Sequence, residues 1–156
     1  MIFASLGTMD MPFYRMAKAV DDFAAQTNEE VIVQTGYTDY KYKFAHPFDF
    51  CTKSQMQEYI SSANLLILQG GWGAISEAMD LGKKIVVLPR HNGTEHIHDQ
   101  FQLVKKLDEL KCVIGVFDET KLFDAIKKAD NFEFKKIEKG NAEPIIVQQL
   151  KKWFGV

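Results

Sequence analysis

The sequence is poor in the residues that mark several common classes of protein. Its 156 residues include only two cysteines, Cys51 and Cys112, without the spacing of a metal site or a disulfide framework. The start, Met1 to Leu6, carries no basic leader, and no stretch reaches the ~18 apolar residues of a membrane span. The 19 basic and 21 acidic residues nearly cancel, so no nucleic-acid partner is expected. These features indicate a cytoplasmic protein.

What the sequence does contain is a regular alternation of short apolar runs and longer amphipathic stretches. The predicted strands are Met1 to Leu6, Glu30 to Gln34, Asn64 to Leu68, Lys84 to Leu88 and Cys112 to Val116. The predicted helices are Phe13 to Gln26, Ser54 to Ser62, Ala74 to Leu81, Ile97 to Leu110, Glu119 to Ala129 and a last one at about 144–154. This order predicts an α/β fold with a Rossmann-like, doubly wound parallel sheet. We expect residues 1–156 to form a single domain.

The last predicted helix carries an apolar stripe made of Ile146, Leu150, Trp153 and Phe154. A helix with such a stripe usually buries it against the core. We therefore expect this helix to complete the core of the domain. The alternative is that Trp153 and Phe154 form a docking surface for another chain.

A glycine-rich turn joins the third predicted strand to the following helix. After Leu65 to Leu68 come Gln69, Gly70, Gly71, Trp72 and Gly73, and Ala74 and Ile75 open the helix. The free N–H groups of a helix N-terminus stabilise an anion, so the turn predicts a phosphate site. It lacks the spacing of dinucleotide sites and of P-loops. Glu77 is predicted in the first helical turn, where it either binds ribose hydroxyls or complements the helix dipole.

Two further loops follow predicted strands at the same edge of the sheet, where ligands of such folds bind. The first holds Gly7 and Thr8, and its alternative interpretation is a helix cap built from Asp10 and Pro12. The second, Pro89 to Gln100, is dense in groups that can hydrogen-bond a sugar. It contains His96 and His98, which at a spacing of two on a helix would point apart, so no metal is expected.

Together these segments resemble a known family, the small glycosyltransferase subunits of exopolysaccharide and capsule synthesis. These look like the carboxy-terminal half of a GT-B enzyme of family 28. The matching segments span most of the chain: Gly7-Thr8 with Pro12-Phe13, Val33-Gln34-Thr35-Gly36-Tyr37, Gly70-Gly71, Val87-Leu88-Pro89-Arg90, and Glu95-His96 with Gln100. The resemblance extends to the catalytic subunit of the dolichol-pathway N-acetylglucosaminyltransferase and, more distantly, to the peptidoglycan lipid-intermediate transferase.

The resemblance implies a nucleotide-sugar site. The donor is a UDP-sugar, whose diphosphate lies on the backbone from Gly71 to Ile75, next to Gly70 and Gly73. Glu77 holds the ribose, the segment with Arg90, Glu95, His96 and Gln100 holds the sugar and phosphates, and Gly7 and Thr8 face the same cleft. His96 is the candidate catalytic residue, and no cofactor is implied.

The resemblance also implies a partner. GT-B enzymes bind the donor on one half and the acceptor on the other, so a membrane-anchored subunit would supply the acceptor half and recruit the chain to a lipid-linked saccharide. Relatives often carry histidine where this chain has Met9 and Gln69, and a glutamine cannot take up a proton near neutral pH. A non-catalytic nucleotide-sugar-binding half is therefore the alternative. A nucleotide-sugar epimerase or a dinucleotide-binding enzyme is a further one.

Overall fold

A six-stranded parallel sheet forms the centre of the computed structural model, which describes residues 1–137, 140 and 143–155. Its strands are β1 (Ile2–Ser5), β2 (Val31–Gln34), β3 (His46–Phe48), β4 (Leu65–Gln69), β5 (Lys84–Leu88) and β6 (Ile114–Gly115). They lie in the order β3-β2-β1-β4-β5-β6, and every neighbouring pair is parallel. Their runs of valine, isoleucine and leucine suit strands that are buried on both faces.

Helices connect the strands and cover the sheet. They are α1 (Tyr14–Ala24), α2 (Lys53–Ser62), α3 (Trp72–Asp80), α4 (Gln100–Glu109), α5 (Leu122–Ala129), which follows a 3-10 turn at Glu119–Lys121, and α6 (Glu143–Phe154). Side chains of α1 and α5 pack in one apolar cluster with β1, and those of α2, α3 and α4 pack in a second cluster with Phe3 and Leu66. Two clusters on opposite faces make the sheet doubly wound, which confirms the predicted fold class.

The strand predictions agree with the structure except at β3. His46 and Pro47 in this three-residue strand are exposed, and it pairs only with β2 at the edge of the sheet. An exposed edge strand needs no apolar run, so no hydrophobic pattern marks this strand in the sequence.

Two helix boundaries near the predicted site differ from expectation. Helix α3 begins at Trp72, two residues earlier than predicted, because Gly71 has the extended backbone of an N-cap. Helix α4 begins at Gln100, three residues later than predicted. The cause is Asp99, whose side chain accepts a hydrogen bond from the Phe101 N–H and caps the helix there.

The expected packing of the last helix is wrong. Helix α6 forms at the predicted position, but none of its side chains is buried. Ile146, Trp153 and Phe154 are 55%, 68% and 71% exposed. Its apolar stripe therefore adds nothing to the core. Among the described residues, none of the helices has the length and hydropathy of a membrane-spanning segment.

Candidate functional site

The order of the strands places a crevice between β1 and β4. The helices that follow these two neighbouring strands, α1 and α3, lie on opposite faces of the sheet. Ligands of such folds bind beyond the carboxyl ends of the strands at this point. Gly7 follows β1 with a φ of +86°, a conformation that glycine adopts readily. A Cβ on Gly7 would lie 3.2 Å from the side-chain nitrogen of Gln69, the last residue of β4. The two loops are thus close neighbours at the crevice.

The loop after β2 supports Gly7 from behind. Gly36 has a φ of +57°, and a Cβ there would lie 2.2 Å from the carbonyl oxygen of Gly7. On the same side, the Ser5 hydroxyl donates to the side-chain oxygen of Gln34 at 2.6 Å. The close approach of Gly36 to the carbonyl oxygen of Gly7 explains why glycine is needed at position 36. Gly36 thus shapes the crevice. It was not among the predicted site residues, although a glycine in a loop after a predicted strand could have indicated it.

The segment from Gln69 to Ile75, here called the glycine turn, presents the N-terminus of α3. Gly71 is its N-cap, with φ −79° and ψ 124°, and offers no capping side chain to the first amides of the helix. Trp72 and Gly73 are exposed and Ala74 is half-buried, whereas Gly70 and Ile75 are buried. The exposed start of the helix provides N–H groups and a positive dipole end to an anion in the crevice.

Glu77 does not lie in the first turn of α3, because the helix starts at Trp72. The expectation of a first-turn position is therefore wrong, and with it the explanation that Glu77 complements the helix dipole loses its basis. The side chain is half-buried and lines a groove of about 660 Å³ between α2 and α3, together with Trp72, Gly73 and Ser76. Its carboxylate is thus within this groove, beside the exposed start of the helix.

A pair of amide side chains joins the glycine turn to the segment from Pro89 to Gln100, here called the polar loop. The N–H groups of Gly70 and Arg90 both donate to Oε1 of Gln100, at 3.0 and 2.9 Å. Nε2 of Gln100 donates to Oε1 of Gln69 at 2.7 Å. Gln100 is 4% exposed, so its polar atoms serve contacts within the protein. Gln69 was not among the predicted site residues.

Arg90 is buried, with 1% of its surface exposed. Its guanidinium donates to the carbonyl oxygens of Leu6 and Met11, each at 2.6 Å, and of Glu95 at 2.9 Å. It also lies over the Phe13 ring, 4.6 Å from its centroid. Burial lowers the pKa of Arg90 to about 10, so it stays charged at neutral pH. Arg90 thus ties the polar loop to the loop after β1.

Glu95 is held by a second arginine, Arg15 of α1. Nε of Arg15 donates to Oε1 of Glu95 at 2.9 Å, and Nη2 donates to Oε2 at 2.9 Å and to the Pro89 carbonyl. Oε2 of Glu95 also accepts the His91 N–H at 2.7 Å. Both side chains of the ion pair are about 15% exposed, and Glu119 lies 3.4 Å from Nη1 of Arg15. Arg15, on a distant helix, carried no signal in the sequence.

His96 and His98 lie in the polar loop rather than on a helix, so the helical argument about their directions does not apply. The His98 N–H donates to Nδ1 of His96 at 2.9 Å, and the two rings are 5.6 Å apart. The same Nδ1 lies 3.2 Å from the carbonyl oxygen of His98. Across the described part of the chain, no three His, Cys, Asp or Glu residues are grouped to hold a metal ion.

Thr8 has an exposed side chain next to Gly7. The capping role considered for Asp10 is wrong, because the N-cap of α1 is Phe13, without a side-chain cap. The Phe13 N–H instead donates to the Thr38 hydroxyl, at 3.0 Å. The loop after β1 is therefore not explained by helix capping.

A parallel sheet with this strand order, and an exposed helix N-terminus at its switch point, defines a Rossmann-like nucleotide-binding fold. The sequence matches the glycosyltransferase family 28 C-terminal domain over residues 5–152, and the chain belongs to that family. It is a glycosyltransferase domain of the GT-B type. No curated protein matches it in sequence.

Solved structures with a similar fold are also glycosyltransferases. The glycotransferase of kitacinnamycin is 16% identical, with a TM-score of 0.63, and the match covers 82% of this chain and 34% of that one. SnogD from Streptomyces nogalater is 14% identical, with a TM-score of 0.57 and coverages of 82% and 34%. The spinosyn rhamnosyltransferase SpnG, complexed with thymidine diphosphate, is 16% identical, with a TM-score of 0.56 and coverages of 83% and 37%. The chain thus spans about a third of the length of these proteins.

Proposed function

We propose that this chain is the donor-binding half of a hexosyltransferase. It binds a UDP-sugar and, with a membrane-anchored subunit that binds the acceptor, transfers the sugar to a lipid-linked saccharide in polysaccharide biosynthesis. Residues 1–156 act as a single nucleotide-sugar-binding domain. The protein works at the cytoplasmic face of the membrane, to which its partner recruits it.

The observation that carries the proposal is the exposed N-terminus of α3 at the switch point of the sheet. In the proposed complex the diphosphate lies against the backbone of Gly70, Gly71, Gly73, Ala74 and Ile75. Gly7 and Thr8 form the opposite side of the crevice. Glu77, in its groove next to Trp72, accepts hydrogen bonds from the ribose hydroxyls.

The polar loop is held in place by three of its own side chains, those of Arg90, Glu95 and Gln100. Their side chains bind backbone groups and Arg15, which supports a role in shaping the crevice rather than in direct contact. His96 belongs to the same loop and points its Nδ1 at a backbone N–H. The polar loop then forms the wall of the crevice beside the donor sugar.

The proposed reaction is a displacement at the anomeric carbon of the donor. The bond from this carbon to the β-phosphate oxygen breaks, and a bond to the acceptor hydroxyl oxygen forms. UDP leaves with the electron pair, and its developing charge is stabilised by the amides of the glycine turn. The acceptor proton goes to a base on the partner subunit, since the acceptor enters the active site from that side.

Calorimetry with the chain and a panel of UDP, dTDP, GDP, NAD and UDP-sugars tests the donor site. We expect UDP and UDP-sugars to bind best. Equal binding of all ligands, or binding of none, would contradict the proposal.

Helix α6 is the proposed docking surface for the partner subunit, because its apolar stripe is exposed. We expect a chain ended before Ile145 to stay folded and to bind UDP with unchanged affinity, but to lose the partner in co-purification from the native host. Retained partner binding would contradict the docking role. Full sugar transfer by the chain alone would remove the need for a partner. In the assembled complex, normal turnover of His96→Ala would exclude His96 from catalysis.

The second candidate is a regulatory half that binds a nucleotide sugar without transferring it. Met9 and Gln69 favour it, because neither side chain can act as an acid or a base near neutral pH. Transfer of labelled sugar by the assembled complex, above the level of the partner alone, would exclude this candidate.

A further inference from the structure

Residues 91–96 of the polar loop, here called the closed turn, form hydrogen bonds among themselves. The N–H groups of Glu95 and His96 both donate to the carbonyl oxygen of His91, at 3.0 and 3.1 Å. The Gly93 N–H donates to the carbonyl oxygen of His96 at 2.8 Å. The side chain of Glu95 completes the turn, because its Oε2 accepts the His91 N–H at 2.7 Å. The shape of the closed turn therefore depends on where the Glu95 carboxylate lies.

A side chain of helix α1 fixes the position of this carboxylate. Nε and Nη2 of Arg15 donate to the two oxygens of Glu95, each at 2.9 Å, in a forked ion pair. Nη2 also donates to the carbonyl oxygen of Pro89, just before the closed turn. Arg15 thus contacts the polar loop at two points, one before the closed turn and one within it. The fork needs an arginine, because a lysine has only one charged nitrogen.

The surroundings of Arg15 keep the ion pair in one place. The side chains of Arg15 and Glu95 are 14% and 15% exposed, and a pair shielded from water is weakened less by solvent and salt than an exposed one. The guanidinium of Arg15 also lies 5.0 Å from the ring centroid of Phe13, which is fully buried and is the N-cap of α1. The closed turn is therefore fixed relative to the loop after β1, which forms the opposite side of the crevice.

The proposed complex puts the donor sugar next to the closed turn. The N–H groups of Gly70 and Arg90 share Oε1 of Gln100, so the start of the polar loop is adjacent to the glycine turn. In that complex the diphosphate lies on the glycine turn, and the sugar is attached to its β-phosphate. A sugar that extends from there toward the polar loop meets the closed turn, in which residues 91–94 are exposed.

We propose that Arg15 is a positioning residue for the donor sugar. It acts through Glu95, whose carboxylate it holds within the closed turn, and it does not itself contact the donor. The inference rests on the proposed donor site. Without the forked ion pair the Glu95 carboxylate is free to leave the His91 N–H. The exposed groups of residues 91–94 then lose the fixed arrangement in which they meet the sugar hydroxyls.

The affinities for UDP and for a UDP-sugar, compared in one variant, separate sugar positioning from general support of the fold. The variant is Arg15→Lys, which keeps the charge and loses the fork. The probes are UDP and whichever of UDP-glucose, UDP-galactose and UDP-N-acetylglucosamine the unmodified chain binds most tightly by calorimetry. We expect the UDP-sugar to bind about fivefold more weakly, the size of one ordinary hydrogen bond, and UDP to stay within about twofold.

Glu119→Gln is the matched control, because it changes a different contact of the same arginine. Oε2 of Glu119 lies 3.4 Å from Nη1 of Arg15, and its loss leaves both contacts of Arg15 with the polar loop in place. This variant should bind UDP and the UDP-sugar as the unmodified chain does.

A double-mutant cycle tests whether Arg15 acts through Glu95. The variants are Arg15→Lys, Glu95→Gln and the two combined, and the quantity compared is the affinity for the UDP-sugar relative to that for UDP. Both single variants should lower this ratio. The double variant should lower it no further than Glu95→Gln alone, because Arg15 then has no carboxylate left to position.

The backbone amides give a readout that needs no ligand. In Arg15→Lys the amide proton of His91 should move upfield in the NMR spectrum, because its short hydrogen bond to Glu95 is lost. The amide proton of Gly70, which is bonded to Gln100, should stay where it is.

The outcomes distinguish this inference from the proposed function. Equal weakening of UDP and the UDP-sugar by Arg15→Lys, or no weakening of either, would overturn the inference and leave the function standing. Additive losses in the double variant, an unmoved His91 amide, or an Arg15→Lys chain that does not fold would also overturn the inference. In the last case Arg15 would support the whole domain. Failure of the unmodified chain to bind UDP would overturn the function and the inference together.

Discussion

The glycine turn and the polar loop lie side by side at the crevice, yet they use their polar groups in opposite ways. The glycine turn has few side chains, and the amides at the start of α3 face outward from an uncapped N-terminus. The polar loop is rich in charged and amide side chains, but those of Arg90, Glu95 and Gln100 form hydrogen bonds and an ion pair within the protein. Polar residues in a loop beside a ligand site can therefore build the site without contacting the ligand.

This comparison makes separable predictions. Changes in the polar loop should cost mainly stability, and changes in the glycine turn should cost mainly ligand affinity.

The largest effect is expected for Arg90→Met. The substitution removes a buried guanidinium and leaves the carbonyl oxygens of Leu6 and Met11 without their donor. Hydrogen bonds to charged groups contribute about 1.5 to 3 kcal/mol each, so we expect a loss of at least about 3 kcal/mol. That corresponds to a fall in Tm of roughly 6 to 12 °C for a domain of this size. Thermal and urea unfolding measure this loss. The control is Lys18→Met, at an exposed site. A Tm within about 2 °C of the unmodified value would show that the buried arginine is dispensable.

Gly71→Ala should damage the proposed ligand site itself. A Cβ at this position would lie 2.2 Å from the side-chain nitrogen of Gln69, so Gln69 must move out of the crevice. We expect UDP to bind at least about tenfold more weakly, because the added methyl group and the displaced side chain crowd the proposed diphosphate site. Gly140→Ala is the control, since none of the residues that the structure describes lies within 4 Å of a Cβ there. Unchanged UDP affinity in Gly71→Ala would place the ligand elsewhere.

A smaller loss of stability is expected for Glu95→Gln. It keeps the shape of the side chain but removes the charge that faces Arg15, in a pair whose members are about 15% exposed. We expect a cost of about 1 to 2 kcal/mol in urea unfolding, which shrinks at high salt. The control is Glu119→Gln, which faces the same arginine at 3.4 Å but is 40% exposed, so its cost should stay below about 1 kcal/mol. Equal losses of unfolding free energy in the two variants would show that Glu95 stabilises the protein no more than an exposed partner of Arg15 does.

The smallest effect is a gain in stability from Gly73→Ala. Gly73 lies in the first turn of α3, and no atom of the described residues lies within 4 Å of a Cβ there. Alanine favours the helix by about 0.5 to 1 kcal/mol. Urea unfolding should therefore show a slightly higher midpoint. A lower midpoint would mean that the start of α3 is not an ordinary helical turn.

Much of this architecture could be predicted from the sequence, because β1, β2, β4 and β5 are apolar runs followed by glycine or proline. The side chains that shape the crevice were harder to predict. Arg90 meets Leu6 and Met11 from 84 and 79 positions away, and an arginine in a polar loop is usually exposed. The exposure of α6 was also missed, because an apolar stripe has the same pattern whether it packs on its own chain or stays free.

The central claim is that the donor lies on the glycine turn and that the polar loop acts as its support. Backbone amide chemical shifts during a UDP titration test this most directly. We predict the largest shifts at Gly70 to Ile75 and at Gly7 and Thr8, with small ones from His91 to His98. Shifts concentrated in the polar loop, with Gly71 and Trp72 unmoved, would contradict it.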